Sequence, residues 1–574
     1  RRIRENSEKI LAVYRATNEA QLRGETITPA AQWLLDNHYM VEEAVYQIRR
    51  DLPKRFYRQL PTIEVAKGAR VPRALALAWL YVAHTDSAVS ATGLEAIIEG
   101  FQSVVPLRIG EIWALPPLVR FVLVENLRRL ALRVDRARQM RRIANSLADR
   151  LLSATTWEGG PAALLSGFSQ HARDNTFATQ LLHRLRDGSL SAGAALAWLE
   201  RELEASGSDA EQIIIREHQT LAAGNVTTGN IIRGLRVAND LDWTVWFEKV
   251  SRVDRLFRER TDFARLDFQS RDQYRTAVED LARRSKKNEY DVALRVIEMA
   301  EADADATTTD GPDVGSLLVG ARRSEIEKDL GYRQPFGTRL YRSFRKAGWA
   351  GIAIPPLLLA GLLLSALAGA LAAAEVPEWG IVLLLLLFVL PGLDGMLALF
   401  NATVMLLLKP TSLIGYEFKD GVPPEARTLV VVPSLISSRD EIEESARNLE
   451  VHFLANMHGD LHFALLSDWP DSPVEQSAAD LELLEYAKAC IAGLNALYPR
   501  PEAPRFHLLH RRRLYNEAQG CWMGWERKRG KLHELDQLLR GDSDTTFLPS
   551  DTPLPQGVVY VMTLDADTRM TRDA

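Results

Sequence analysis

From residue 1 to about 300, apolar residues recur every three or four positions among Ala, Leu, Arg and Glu, with few glycine clusters and little strand alternation. That is the helix period, and it predicts an all-α domain over 1–300. Thr28-Pro29 reads as an N-cap and first helical residue, opening a helix over Ala31 to Arg50 that turns Trp33, Leu34, Val41, Ala44, Val45 and Ile48 to a core. Pro53 and Pro61 close that region. Ile213 to Ile297 continues the period, and its cluster of Trp243, Trp246, Phe247, Phe263, Phe268 and Arg275 reads as helix packing with ion pairs at the surface. No repeat of fixed length is evident. Glu301 to Gly315, where Gly311-Pro312 interrupts alternating Ala, Asp and Thr, predicts a linker, and 301–340 as a whole a linker with an amphipathic segment.

The pattern then becomes uniformly apolar. Trp349–Ala374 and Ile381–Leu408 are each long enough to cross a bilayer, at about twenty residues per crossing. They predict a transmembrane hairpin over 349–408. Arg339, Arg342, Arg345 and Lys346 precede it and Lys409 follows, whereas the connection Glu375-Val376-Pro377-Glu378 is acidic, so both flanks are expected in the cytoplasm. Asp394 interrupts the second span, with Asn401 on the same face and Pro391-Gly392 beside it. An intramembrane carboxylate serves either a hydrogen bond between helices or contact with a polar substance in transit.

After residue 428 the period changes again, to short apolar runs alternating with helices, the pattern of an α/β sheet. Strands are expected at Leu429–Val432, Phe463–Leu466, Phe506–Leu509 and Val558–Leu564, with helices from Ser438 through Leu454 and from Ala479 to Leu497. In such sheets ligands gather at the carboxyl ends of the strands, where Pro433, Asp468, His510 and Asp565 fall.

Composition narrows the partners. Lys+Arg 70 against Asp+Glu 75 gives a net charge of -5, so no global basic field marks a nucleic-acid binder. Two cysteines, Cys490 and Cys521, are too few for a disulfide framework or a structural zinc site and suit a reducing cytoplasm. The start at Arg1 and the end at Asp573-Ala574, directly after the last strand, read as those of a fragment.

Chemistry concentrates in the α/β part. Asp565 and Asp567, one residue apart at the mouth of a strand, are placed on one face by strand alternation and can share a divalent cation that neutralises a diphosphate. The seven arginines and lysines between His510 and Lys531, among them Arg527, Lys528 and Lys531, can pair with that diphosphate, with Gly530 allowing close backbone approach. Trp522 and Trp525 among those charges argue for an ordered site. Asp468 can accept hydrogen bonds from a base or ribose, or cap the turn before Pro470.

The segments Val430-Val431-Val432-Pro433-Ser434-Leu435, Phe463 to Trp469, His510 to Asn516, Trp522 to Leu532 and Thr563 to Thr568 together resemble the glycosyltransferase domain of cyclic β-1,2-glucan synthases. Helical front, hairpin and α/β module also follow that family's order. The resemblance implies a multidomain bacterial inner-membrane protein, multi-pass, whose 428–574 region is the first part of a GT-A, Rossmann-like domain. It implies UDP-glucose as donor, a growing β-glucan chain as acceptor, Mg²⁺ or Mn²⁺ as cofactor, and an inverting, in-line transfer. Pro433, Asp468, Arg527, Lys528, Gly530, Lys531 and Asp565 are then the nucleotide-sugar residues, Asp565 and Asp567 the metal pair, and the general base is expected beyond Ala574, leaving the fragment inactive alone. Three other readings share features: a phosphatase whose first aspartate is phosphorylated, which normally opens its domain with Asp-x-Asp-x-Thr; a non-catalytic membrane scaffold; and another processive polysaccharide synthase.

Overall fold

The computed structural model describes residues 2–65, 68–153, 164–186, 190–303, 313–407, 413–501, 503–552 and 554–571. The expected linker core and Lys409, like Asp573-Ala574, lie outside them. The chain divides into two compact units, Arg1–Ile414 and Gly415–Ala574.

The first unit is built around a 45-residue helix, Ile109–Ser153, whose first half is buried on nearly every side. Shorter helices wrap it, with Leu115, Val119, Val122 and Leu123 among the residues that meet their apolar faces. Thr28 caps the helix Pro29–Asp36 as its sequence predicts, but the helix expected to run to Arg50 breaks at Asn37 and restarts as His38–Asp51. The all-α expectation is corrected by a small antiparallel hairpin, β1 (Thr62–Glu64) with β2 (Arg70–Pro72). The aromatic cluster is core: Phe247 stacks on Trp113 at 4.3 Å, and the buried Arg275 is held by Asp254 and Glu248.

Two helices, Trp349–Ala373 and Glu378–Leu407, pack against each other and are long and apolar enough to cross a membrane. Few of their residues are buried, which separates them from core helices of a soluble fold. Gly392 faces Leu363 of the first helix, whereas Asp394 and Asn401 are exposed.

The second unit is a four-stranded parallel sheet of β3 (Thr428–Leu435), β4 (Leu461–Asp468), β5 (Phe506–Arg511) and β8 (Tyr560–Thr563), in the order β5-β4-β3-β8. A short antiparallel pair, β6 (Leu514–Asn516) with β7 (Cys521–Met523), lies between β5 and β8 in the chain. Alternate residues feed two cores: Val430, Val432, Phe463 and Leu465 pack on the helices Arg439–Ala455 and Ala478–Leu497, and Leu429, Val431, Ala464 and Leu466 on the helix Arg527–Leu539. Strand β3 is followed outward by β4 and β5 in one direction and by β8 in the other. The order thus reverses between β3 and β8, and an open parallel sheet offers its crevice at such a reversal.

Candidate active site

A cleft of about 550 Å³ opens at the carboxyl ends of the strands on either side of that reversal. Pro433, Ser434 and Leu435 from β3, Asp468 from β4, and Ala566 and Asp567 after β8 contribute to its lining. One wall is the helix Arg439–Ala455, through Glu441, Glu444, Ser445 and Asn448; another is the start of Arg527–Leu539, through Arg527, Lys528 and Lys531. Pro433 is tolerated inside a strand because Val431 is the last β3 residue paired with β8, so the missing N–H two residues on falls where β8 has ended.

The basic residues divide into two sets. Arg511 lies directly opposite Asp468 in the β4–β5 register, fully buried, and clamps that carboxylate through Nε at 2.8 Å and Nη2 at 3.0 Å. Its Nη1 donates to Glu534 at 3.1 Å, and Lys531 adds a second cation 3.2 Å from Asp468. Lys531 also donates to the carbonyl of Ser434 at 2.6 Å, and its burial pushes the ammonium below the usual lysine range, partly offset by Asp468. Arg513 is likewise buried against Asp480, whose side chain completes the capping box with Ser477. These groups hold the strand ends and the flanking helices together. Asp468 thus reaches the cleft with both carboxylate oxygens already engaged.

The second set faces solvent. Arg527, paired with Asp471 at 2.8 Å, and Lys528, paired with Asp565, stand at the N-terminus of a 13-residue helix whose first turn contains no acidic residue. Cations at the positive end of a helix dipole repel one another and the dipole, an arrangement that an anion in the cleft would relieve. Glu526 and Arg527 are both left-handed, at φ of 46° and 45°, a conformation unfavourable for side chains with a Cβ. In the sequence this stretch shows only as a basic segment, whereas the structure makes it a helix.

Gly530 does not line the cleft. A Cβ there would stand 2.0 Å from the Trp525 carbonyl and 2.9 Å from Arg511 Nη1, so the glycine is required by the protein's own packing rather than by a bound group. His510 lies inside β5, which runs one residue further to Arg511, and its ring is buried edge-on to Trp469 at 4.3 Å with Nδ1 2.8 Å from Ser467; burial pushes it down to about 3, so it is neutral.

The two acidic residues follow β8 rather than belonging to it. The strand ends at Thr563, and Asp565 to Thr568 form a turn closed by Thr568 N–H donating to the Asp565 carbonyl at 2.9 Å. Strand alternation therefore does not set their common face. The segment from this turn to Thr571 is held from the helix Arg439–Ala455 and its C-cap residue Asn456 by three side chains four residues apart: Asn448 donates to the Ala566 carbonyl at 3.3 Å, His452 Nδ1 accepts from Met570 N–H at 3.4 Å, and Asn456 donates to the Thr571 carbonyl at 3.2 Å. The sequence carried a signal for this wall, since residues 441, 444, 445 and 448 repeat at helical spacing directly after β3.

Asp567 lines the cleft, whereas Asp565 does not and is paired with Lys528, which does; the two carboxylates supply hard oxygen donors at its edge. Among the described residues no group of three or more metal-ligating side chains comes together, so a divalent ion would take its remaining ligands from a bound phosphate and water, the usual arrangement for Mg²⁺. The donor set fits that role.

No protein-family model matches the chain. The chain is 53% identical over 577 aligned positions to a cyclic β-(1,2)-glucan synthase, NdvB, of Rhizobium meliloti (strain 1021), an alignment that takes in 100% of this chain and 20% of that protein. The chain thus spans about one fifth of the length of that relative. That identity extends from the helical unit to the Asp-x-Asp turn, so the chain is similar along its whole length to a cyclic β-(1,2)-glucan synthase, as its motifs implied.

Proposed function

We propose that this chain is part of a membrane glucan synthase, a glycosyltransferase that moves glucose from UDP-glucose to a growing β-1,2-glucan. The observation that carries this is the 53% identity over the whole chain to a protein of that name. The switch-point cleft supports it, because it gathers cations and carboxylates where an α/β sheet receives nucleotides.

In this reading 428–574 belongs to a GT-A domain and the apolar hairpin crosses the bacterial inner membrane, with the helical region 1–300 and the region 428–574 both in the cytoplasm. Arg527 and Lys528 receive the diphosphate, helped by the dipole of their helix. Lys531, Arg511 and Asp468 fix the floor on which it rests. Asp565 and Asp567 hold Mg²⁺ or Mn²⁺, which when bound acts as Lewis acid on the leaving diphosphate. A β-link from an α-linked donor requires in-line attack by a sugar hydroxyl from the face opposite the diphosphate. The carboxylate that takes that hydroxyl's proton is assigned to none of the cleft residues.

The test uses the full-length protein in membranes with radiolabelled UDP-glucose and Mg²⁺ or Mn²⁺. Label should enter glucan only with the metal, and Asp565→Ala and Asp567→Ala should each reduce incorporation by at least about 100-fold, the order seen when a charge-stabilising group is removed from a reaction centre. Wild-type membranes that incorporate no label, or that instead hydrolyse phosphate esters through Asp565, would overturn the reading.

A further inference from the structure

Immediately before the first apolar helix, Phe336–Lys346 forms an 11-residue helix that buries none of its side chains. Phe336, Leu340 and Phe344 recur every fourth residue on one side, with Tyr341 at its edge, and all four are exposed. Arg339, Arg342, Arg345 and Lys346 take the other side. At about 100° per residue the apolar side chains occupy an arc of about 140° and the cations a separate arc of about 120°, with no overlap. Arg342 is pinned by Glu327 through two hydrogen bonds of 2.6 and 2.7 Å. That pair turns the cationic side toward the helix Arg323–Asp329 and leaves the aromatic side facing outward.

The corner into the apolar helix is built from glycine. Gly348 adopts φ of +56°, and a Cβ on Gly351 would stand 2.5 Å from the carbonyl of Phe344, so the two helices meet through backbone contact. Trp349 at the junction is exposed, the residue type that anchors at a membrane interface. An exposed aromatic stripe is unfavourable in water, and Arg339, Arg345 and Lys346 flank it with positive charge.

We infer that Phe336–Lys346 lies in the plane of the membrane surface at the foot of the first span, with its apolar side among the acyl chains and Arg339, Arg345 and Lys346 on anionic headgroups. This rests on the reading of the apolar hairpin as membrane-spanning. Charge complementarity and the rigid connection to the span select an anionic lipid surface as the occupant.

The experiment places the full-length protein in vesicles of phosphatidylcholine with and without phosphatidylglycerol. A spin label at Leu340→Cys should be reached more readily by oxygen than by a water-soluble nickel chelate, and one at Arg345→Cys the reverse. Amide exchange over 336–346 should slow in the anionic vesicles. The triple change Arg339→Gln, Arg345→Gln, Lys346→Gln should remove that slowing, at about fivefold per cation. Nickel access at both labels, or shielding of both from both quenchers as a covering protein segment would give, overturns the inference. Alkaline carbonate extraction separates the two readings. Release from the vesicles overturns the spanning reading and this inference with it, whereas retention with a water-exposed Leu340 label overturns this inference alone.

Discussion

Asp468 meets Arg511 across two parallel strands, and Lys528 meets Asp565 at the edge of the cleft; both are ion pairs, yet water separates their consequences. Arg511 is buried with two carboxylates on it, so Arg511→Ala leaves Asp468 and Glu534 charged and short of partners. Loss of about 3–5 kcal/mol is expected, read as a lower unfolding midpoint of the sheet unit or its rapid proteolysis. Lys528 and Asp565 are each more than half exposed, and Lys528→Ala should leave the midpoint nearly unmoved while raising the KM for the nucleotide sugar. His507 gives a pH signature. Burial, reinforced by the adjacent His462, pushes its imidazole down to about 4. The unfolded chain, at about 6.5, takes up the proton first, so stability falls as pH drops from about 6.5 to about 4 and levels off below. The loss from this residue is about 3 kcal/mol, and His507→Gln should flatten that window in unfolding midpoints measured against pH. At this scale the sequence announced which residues gather at the strand ends, but not which are consumed by the fold. Arg511, Lys531 and Arg527 share a basic stretch, and only the β4–β5 register and the turn of one helix decide which are buried.

The helix Arg439–Ala455 combines two duties. Its N-terminal turns line the cleft, and Asn448, His452 and Asn456 fasten the segment that follows β8. Asn448→Ala removes the only one of the three bonds made to the turn between the two aspartates. It should cost about 1 kcal/mol, with faster amide exchange over 565–571 and unchanged exchange in β4 and β5. A several-fold rise in the Mn²⁺ concentration needed for half-maximal incorporation should accompany it; unchanged exchange over 565–571 would rule out the anchoring role. The sequence revealed the helix and the strand, since both have strong periodicity. It hid the fastening, because Asn and His at four-residue spacing look like any polar helix face until the segment they hold, more than a hundred residues on, is folded over them. The helix Arg527–Leu539 was hidden for another reason: its entry uses left-handed backbone at Glu526 and Arg527, where no capping residue signals a start.

For the whole molecule, two changes of hydrophobic period separate helical, uniformly apolar and α/β stretches of sequence, and the observed helices and strands follow the same order. Burial in a helical core and exposure on a helix pair leave different marks on periodicity, which is why the element types were legible. The strand order was not, since nothing local in β8 states that it lies beside β3 rather than beyond β5. That choice creates the switch point and with it the cleft. It also leaves β8 at an edge, with Tyr560, Val561 and Met562 exposed and, among the described residues, no strand on its outer side. Unpaired backbone flanked by apolar side chains is a template for another strand. A recombinant piece covering only Gly415–Ala574 should therefore self-associate as its concentration rises, with light scattering growing and a thioflavin signal following. Charged substitutions at Tyr560 and Met562 should keep it monomeric, which makes them the practical route to isolating this unit for ligand titrations.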